Sequence, residues 1–223
     1  MKGFLTERLR ELEQLAKYLG LEERFLIENA SSNLFGKIDS LGLGRKVLVI
    51  AGRGNNGADT LSCARKLFNA GYKVEVAILS EKELGKEALW QKNILEKINI
   101  TIHAIKVDNI TKLKKLIQSC DFILEGILGI GVKGELGSFF KDVILSINGS
   151  GKIIVSCDIP SGLQPDQGTI LGEAVKADYT ITFLAEKRGF FLNQGPNCCG
   201  KVFVTDIGIS LKALEMIDNS RVE

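Results

Sequence analysis

The sequence predicts an α/β protein: a doubly wound, mostly parallel sheet covered by helices on both faces. Three observations carry that expectation. Short apolar runs alternate with stretches whose apolar residues recur at helical spacing. The runs are near-continuous in Val, Ile and Leu, as in strands buried on both faces. Many of the 24 glycines cluster directly after such runs, where the loops of an open sheet bind ligands. Right-handed crossovers between parallel strands then force helices onto both faces.

In chain order, two helices come first, Thr6–Leu19 and Glu22–Ile38, parted by Gly20. The first carries a stripe of Leu5, Leu9, Leu12, Leu15, Ala16 and Leu19, and the second adds Phe25, Leu26 and Phe35. Val47–Ala51 is a buried strand because it is apolar throughout and ends in glycines. Gly57–Ala70 has helical spacing and stops at Gly71, a C-terminal cap. Lys73–Leu79 is a strand, Glu83–Ile98 a helix, Ile100–Ile105 a shorter strand and Asp108–Gln118 a helix. Asp121–Leu128, Lys152–Asp158, Asp178–Leu184 and Lys201–Asp206 complete the strands, with a helix at Gly137–Asn148 and a terminal helix from Leu211. With no repeat, linker or low-complexity stretch, residues 1–223 form one expected domain. It comprises a helical preface (1–44), a core (45–210) and a tail (211–223).

Composition excludes several function classes. Hydrophobic residues are 45% and charged residues 25% of the 223, which suits a globular protein and not a disordered one. Twenty-nine basic against 27 acidic side chains leave +2, too small a surplus to imply nucleic acid or anionic membrane as the main partner. No apolar run nears the roughly 18–20 residues of a membrane span, and Met1–Arg8 lacks the apolar core of a secretory signal. The five cysteines, Cys63, Cys120, Cys157, Cys198 and Cys199, form no C-x-x-C pair, which implies unpaired thiols in a reducing cytoplasm. With His103 the only histidine, a zinc site is not expected.

Three loops after strands stand out. Gly52-Arg53-Gly54-Asn55-Asn56-Gly57-Ala58-Asp59 satisfies G-x-G-x-x-G between a strand and a helix, the context of a dinucleotide fingerprint. Asp59 in the expected first helical turn would repel a phosphate there, and Glu81 is too late to hold a ribose, so a nicotinamide oxidoreductase is disfavoured. Either Asp59 stabilises the helix start and Asn55-Asn56 form a turn, or the loop binds a polar, hydroxylated ligand. Gly129–Gly137 has four glycines in nine positions, with Lys133 among them. It reads as a phosphate cradle or as a flexible connection. Asp158-Ile159-Pro160-Ser161-Gly162 puts an acid at the end of an apolar strand, where desolvation raises its pKa and makes it a general acid/base candidate. The alternative is an acid satisfied by amides of the next turn. Cys157 faces the core and His103 is a strand residue without a role.

Four segments, 47–59, 121–135, 155–189 and 200–209, resemble in order the motifs of the YjeF N-terminal domain family, the NAD(P)HX epimerases. Ile27-Glu28-Asn29-Ala30-Ser31 is similar to that family's Met-Glu-Asn-Ala-Gly, and the resemblance runs from about Leu26 to Ile209. It implies a Rossmann-like three-layer α/β/α sandwich with an N-terminal helical extension. It also implies an isomerase that interconverts R and S epimers of hydrated NADH and NADPH, with a dehydratase as functional partner. By the same resemblance, substrate would contact Asn55, Asn56, Gly57, Ala58 and Asp59, then Gly129, Ile130, Gly131, Val132, Lys133, Gly134 and Glu135, and the catalytic Asp158. A potassium ion would sit against Asn56, Glu125 and Ser161, and the chain would form a homodimer. The chain departs from the family at Glu125, where the family has Asp, and at Ala58 and Ser31, where it has glycine. With the sequence ending at Glu223, the dehydratase domain fused in some bacterial relatives is expected to be absent. The competing reading is a non-catalytic binding module of the same fold.

Overall fold

A computed structural model describes residues 2–79, 82–132 and 134–213. Seven strands, β1 (Lys46–Ala51), β2 (Lys73–Leu79), β3 (Thr101–Ile105), β4 (Phe122–Gly126), β5 (Ile153–Cys157), β6 (Tyr179–Phe183) and β7 (Lys201–Thr205), form one sheet in the order β3-β2-β1-β4-β5-β6-β7. Every neighbouring pair is parallel. The order reverses between β1 and β4, which places a ligand crevice beyond their carboxyl ends.

Strand parity decides which side chains meet which helices. Val47, Val49 and Ala51 of β1 face a core built with α1 (Thr6–Tyr18), α2 (Glu23–Leu41), α3 (Asn55–Asn69) and α4 (Lys86–Lys97), through residues such as Leu9, Leu34, Leu61 and Leu95. Leu48 and Ile50 face the opposite core, under Leu113 of α5 (Ile110–Ser119) and Val143, Ile144 and Ile147 of α6 (Ser138–Asn148). A small third cluster joins Ile159, Leu163 and Phe190 to Cys198 and Cys199, which end the short α7 (Gly195–Cys199). All five cysteines are buried and unpaired, and Cys157 is in the core as the sequence predicts.

The preface helices are fastened to the core. The N–H and Oγ1 of Thr6 both donate to the carboxylate of Asp166, at 2.8 Å each, so the start of α1 is capped from 160 residues away. Just before it, Phe4 pairs with Lys187 in an isolated parallel bridge, the Phe4 N–H donating to Glu186 O at 2.8 Å. α2 packs beside α3 and over β6 and β7. Ser31 of α2 meets Ser62 of α3 in a 2.8 Å hydrogen bond.

The structure moves several expected boundaries. α3 starts at Asn55, capped by Gly54, rather than at Gly57, because Asn55-Asn56 enter the helix instead of forming a turn. β5 stops at Cys157, so Asp158 lies just past the strand. Between β6 and β7, where no helix is expected above, the chain holds a 3-10 turn at Arg188–Phe191 and α7. Of the expected terminal helix only a 3-10 turn, Leu211–Ala213, falls within the described residues, and 214–223 lie outside them.

Candidate functional site

The glycines of the first loop have distinct jobs. A Cβ on Gly52 would stand 1.7 Å from the Ile127 carbonyl oxygen, and one on Gly57 would stand 2.0 Å from Gly52 O. These two let β1, β4 and α3 close on one another. Gly54 has open space around it, which leaves the start of α3 accessible. The first α3 amide to bond back is that of Ala58, to Gly54 O at 3.0 Å, so the N–H groups before it lack intrahelical partners. Asp59 consequently falls on the second turn and does not block the helix start, contrary to the expectation from sequence.

A cavity of about 750 Å³ opens at this point, in the upper range for small-molecule sites. Its floor is the ends of β1, β4 and β5 with Asn55, Asn56, Asp59, Ile127 to Val132 and Asp158. Its apolar side is Leu9, Leu26, Ile27, Phe183, Leu184 and Ile207, and Arg10, Arg53, Lys82 and Lys187 supply positive charge. The guanidinium of Arg10 donates to Ile130 O at 2.9 Å, tying α1 across the glycine loop.

Asp158 has φ +64°, and Leu184, after the next strand, has φ +67°. At both, the following N–H bonds back two residues, Ile159 to Cys157 O at 2.7 Å and Ala185 to Phe183 O at 2.8 Å. Left-handed backbone at a non-glycine residue costs about 1–3 kcal/mol and concentrates at functional sites. Here it turns Asp158 into the cavity while its own N–H still bonds Ile181 O at 2.8 Å. Its Oδ1 accepts from Lys187 Nζ, from the Phe183 N–H at 2.9 Å and from Thr182 Oγ1 at 3.3 Å. Oδ2 has no protein donor among the described residues. The sequence leaves Asp158 either a desolvated acid or one satisfied by turn amides; the structure gives it the Phe183 amide and also a buried ammonium partner, with Lys187 only 1% exposed.

Two other carboxyls line the same cavity without a hydrogen bond or ion pair among the described residues, Asp59 and Glu13. Burial, then the nearby Asp158, Glu13 and Glu23, push Asp59 well above the usual carboxylate range. Glu13 is raised by burial first and Asp158 second. Glu23 accepts from Asn55 Nδ2 at 2.5 Å and from Lys17, linking α1, α2 and the start of α3.

Beneath the cavity lies a set of oxygens. Both oxygens of the fully buried Glu125 accept hydrogen bonds, from Ser156 Oγ at 2.5 Å and Ser161 N–H at 3.1 Å on Oε1. Oε2 takes Ser161 Oγ at 2.5 Å and the Ile127 N–H at 3.3 Å. Burial raises its pKa, opposed by the Ser156 and Ser161 bonds. Asn56 Nδ2 donates to Leu128 O at 3.0 Å, and that carbonyl also lies 3.3 Å from Ser161 Oγ. Asn56 Oδ1 is buried with no hydrogen-bond partner among the described residues. An orphaned amide oxygen beside a carboxyl, a hydroxyl and a carbonyl is a donor set suited to a hard cation.

The family model described as YjeF-related protein N-terminus matches residues 23–189. The chain belongs to this family. It is 31% identical to the NAD(P)H-hydrate epimerase of Elusimicrobium minutum, the alignment covering 97% of this chain and all of that one. The epimerase of Rhodopirellula baltica is 33% identical over 93% of this chain and 85% of its own. The bifunctional NAD(P)H-hydrate repair enzyme Nnr of Dictyoglomus turgidum is 33% identical over the whole of this chain but only 43% of its own length. The chain thus spans about two-fifths of the length of such bifunctional relatives. The crystal structure of a yeast protein, YNL200c, superposes with a TM-score of 0.78 at 19% identity, over 92% of this chain and 88% of that one, which supports the fold.

Within this YjeF-related domain the expected site residues divide. Asn55, Asn56, Asp59, Gly129, Ile130, Gly131, Val132 and Asp158 line one cavity, and Glu125 and Ser161 lie directly beneath. Gly57 and Ala58 are buried in the helix start and do not line it. Gly134 is exposed, and Glu135 turns outward to pair with Lys141 at 2.5 Å. Lys133 and Glu81 lie outside the described residues. Lys187, Glu13, Arg10, Glu23, Arg53 and Lys82 line the cavity without having been singled out from sequence. His103, at the far edge of the sheet, pairs with Glu75 at 2.9 Å.

Proposed function

We propose that this chain interconverts the R and S epimers of NADHX and NADPHX, the hydrated forms of NADH and NADPH, as part of nicotinamide cofactor repair. The observation that carries the reading is Asp158, left-handed and half-bonded, presenting a free oxygen to a cavity at the switch point of a dinucleotide-type sheet. The relative of equal length named as NAD(P)H-hydrate epimerase points the same way.

The chain's own groups divide the work. Free amides at the start of α3 and the Gly129–Val132 turn suit the diphosphate, and the apolar wall contributed by the preface suits the ring. Asp158 acts as a general acid/base at the hydroxyl-bearing carbon, giving or taking the proton of the oxygen on its own face of the ring. Asn56, Ser161, Leu128 O and Glu125 would hold a potassium ion, whose charge favours an anionic Glu125 and a negatively charged substrate above it. Ala58 lies in the core, so its methyl group takes no space from the cavity. No described helix is long and apolar enough to cross a membrane. With five free thiols, a reducing cytoplasm fits the chain. A separate or fused dehydratase is the functional partner, and a second copy of the chain its homodimer mate.

Incubating the purified protein with R-NADHX and separating the epimers chromatographically tests the assignment. Conversion to S faster than the enzyme-free control is expected, and its absence refutes the function.

A further inference from the structure

Epimerisation at a carbinolamine carbon has a stereochemical demand that a single carboxyl does not meet. The hydroxyl must leave from one face of the ring and return on the other. Asp59 lies on the second turn of α3, after β1, and Asp158 follows β5. With only β4 between those strands, their ends are two strand spacings apart, roughly 9–10 Å. Both side chains line the one cavity. Their surroundings differ: Asp158 is ion-paired to buried Lys187, while Asp59 has no cation, donor or acceptor among the described residues. The charges that act on Asp59 are those of Asp158, Glu13 on α1 and Glu23 on α2, all acidic, while Arg10, Arg53, Lys82 and Lys187 line the same cavity without bonding to it. Two carboxyls held in unlike environments are the usual basis for dividing acid and base roles.

We propose that Asp59 is a second proton-transferring residue of the epimerase, and that it and Asp158 serve opposite faces of the substrate ring. The inference rests on the proposed epimerase function with Asp158 in its site. In one direction the protonated Asp59 gives its proton to the hydroxyl on its face. The C6–O bond breaks, the oxygen leaves as water, and the N1 lone pair completes a C=N⁺ bond. Water then adds to C6 from the other face, its proton passes to Asp158 Oδ2, and N1 recovers its pair. The reverse reaction uses the two residues in the opposite order, and exchange with solvent resets their protons.

The test is oxygen exchange in ¹⁸O-water, followed separately in the two epimers for the wild type, Asp59→Asn and Asp158→Asn. Each variant keeps one carboxyl, which can release and recapture a hydroxyl on its own face. Asp59→Asn is expected to lose epimerisation at least 100-fold while still incorporating label into one epimer, and Asp158→Asn to label only the other. Asp59→Ser should repeat the Asp59→Asn pattern, and melting curves establish that each variant folds. Epimerisation by Asp59→Asn within threefold of wild type overturns the proposal, as does loss of exchange in both epimers from a folded Asp59→Asn. A wild type that does not epimerise refutes the function instead, and an Asp158→Asn that still epimerises overturns the pairing of the two carboxyls.

Discussion

Lys187 donates to the same oxygen of Asp158 that the Phe183 N–H holds, so one carboxylate oxygen is fully engaged and the other faces the cavity. Lys187 Nζ is also held by Thr182 Oγ1 at 2.7 Å and Phe183 O at 3.2 Å. The ammonium therefore fixes which oxygen of Asp158 is offered to a ligand, and the strand-end geometry fixes where.

Removing one partner of a buried pair leaves the other uncompensated, typically at about 3–5 kcal/mol. Lys187→Met is therefore expected to lower the urea midpoint sharply. Combined with Asp158→Asn, the loss should fall short of the sum of the single losses by at least about 1 kcal/mol, the coupling seen for residues in direct contact. Additive losses would mean that the two side chains do not depend on each other.

Glu28 joins α2 to α3 through Arg65 at 2.5 Å, Lys66 at 2.6 Å and Ser62 at 3.0 Å. Burial works against its charge, but the bonds from Lys66, Arg65 and Ser62 prevail and lower its pKa from 4.5 to about 2. A depressed carboxylate contributes stability that is present above its unfolded pKa and lost as pH falls through the folded one. The side chain is 35% exposed, so solvent screening reduces the contribution to about 1–2 kcal/mol. Glu28→Gln should be less stable than wild type by that amount at pH 7, the gap closing between pH 4.5 and about 2. A gap independent of pH would point to packing rather than charge.

The orphaned Asn56 Oδ1 predicts that potassium stabilises the fold. Melting in potassium chloride should occur above that in tetramethylammonium chloride, a cation too large for the set. The difference should disappear in Asn56→Ala, which removes the unpaired oxygen. Equal melting temperatures for the wild type in the two salts would count against a cation there.

Exposed apolar side chains gather at the α1–α2 corner, where Tyr18 is 87%, Leu19 53% and Phe25 57% accessible. A twofold contact through this corner would cover them. Sedimentation equilibrium at micromolar concentration should give twice the chain mass of 24.4 kDa, and Phe25→Glu should return it to the single mass. A wild type sedimenting as one chain refutes the dimer.

What was legible in the sequence was whatever depends on local pattern. The strand ending at Ala51 and the glycines behind it are marked by composition, and so are the loop at Gly129 and the acid at Asp158. What was not legible depends on distant parts of the chain. Lys187 carries no local signal of burial in Glu186-Lys187-Arg188, and only the left-handed strand ends bring its ammonium to an acid 29 residues earlier. Asn55-Asn56 carried a turn signal that helix formation overrode, which misplaced Asp59 by a turn. Glu13 and Arg10 stand between the apolar positions of α1, and no local rule says that they look into a cavity.

That last placement rests on Asp166. α1 has no side-chain cap of its own, and Asp166 supplies one through its two bonds to Thr6. Replacing it with alanine should cost about 0.5–2 kcal/mol, the usual range for a lost cap. Because Leu9, Arg10 and Glu13 follow within two turns and line the cavity, loosening the start of α1 loosens one wall of the site. The expected kinetic signature of Asp166→Ala is a KM raised about fivefold, the equivalent of about 1 kcal/mol, with kcat within twofold of wild type, since no reacting group is moved. Asp166→Asn, which retains an oxygen to accept from the Thr6 N–H, should recover much of the loss. A stability loss with KM unchanged would show that α1 can fray without disturbing substrate binding, and would remove it from the wall of the site.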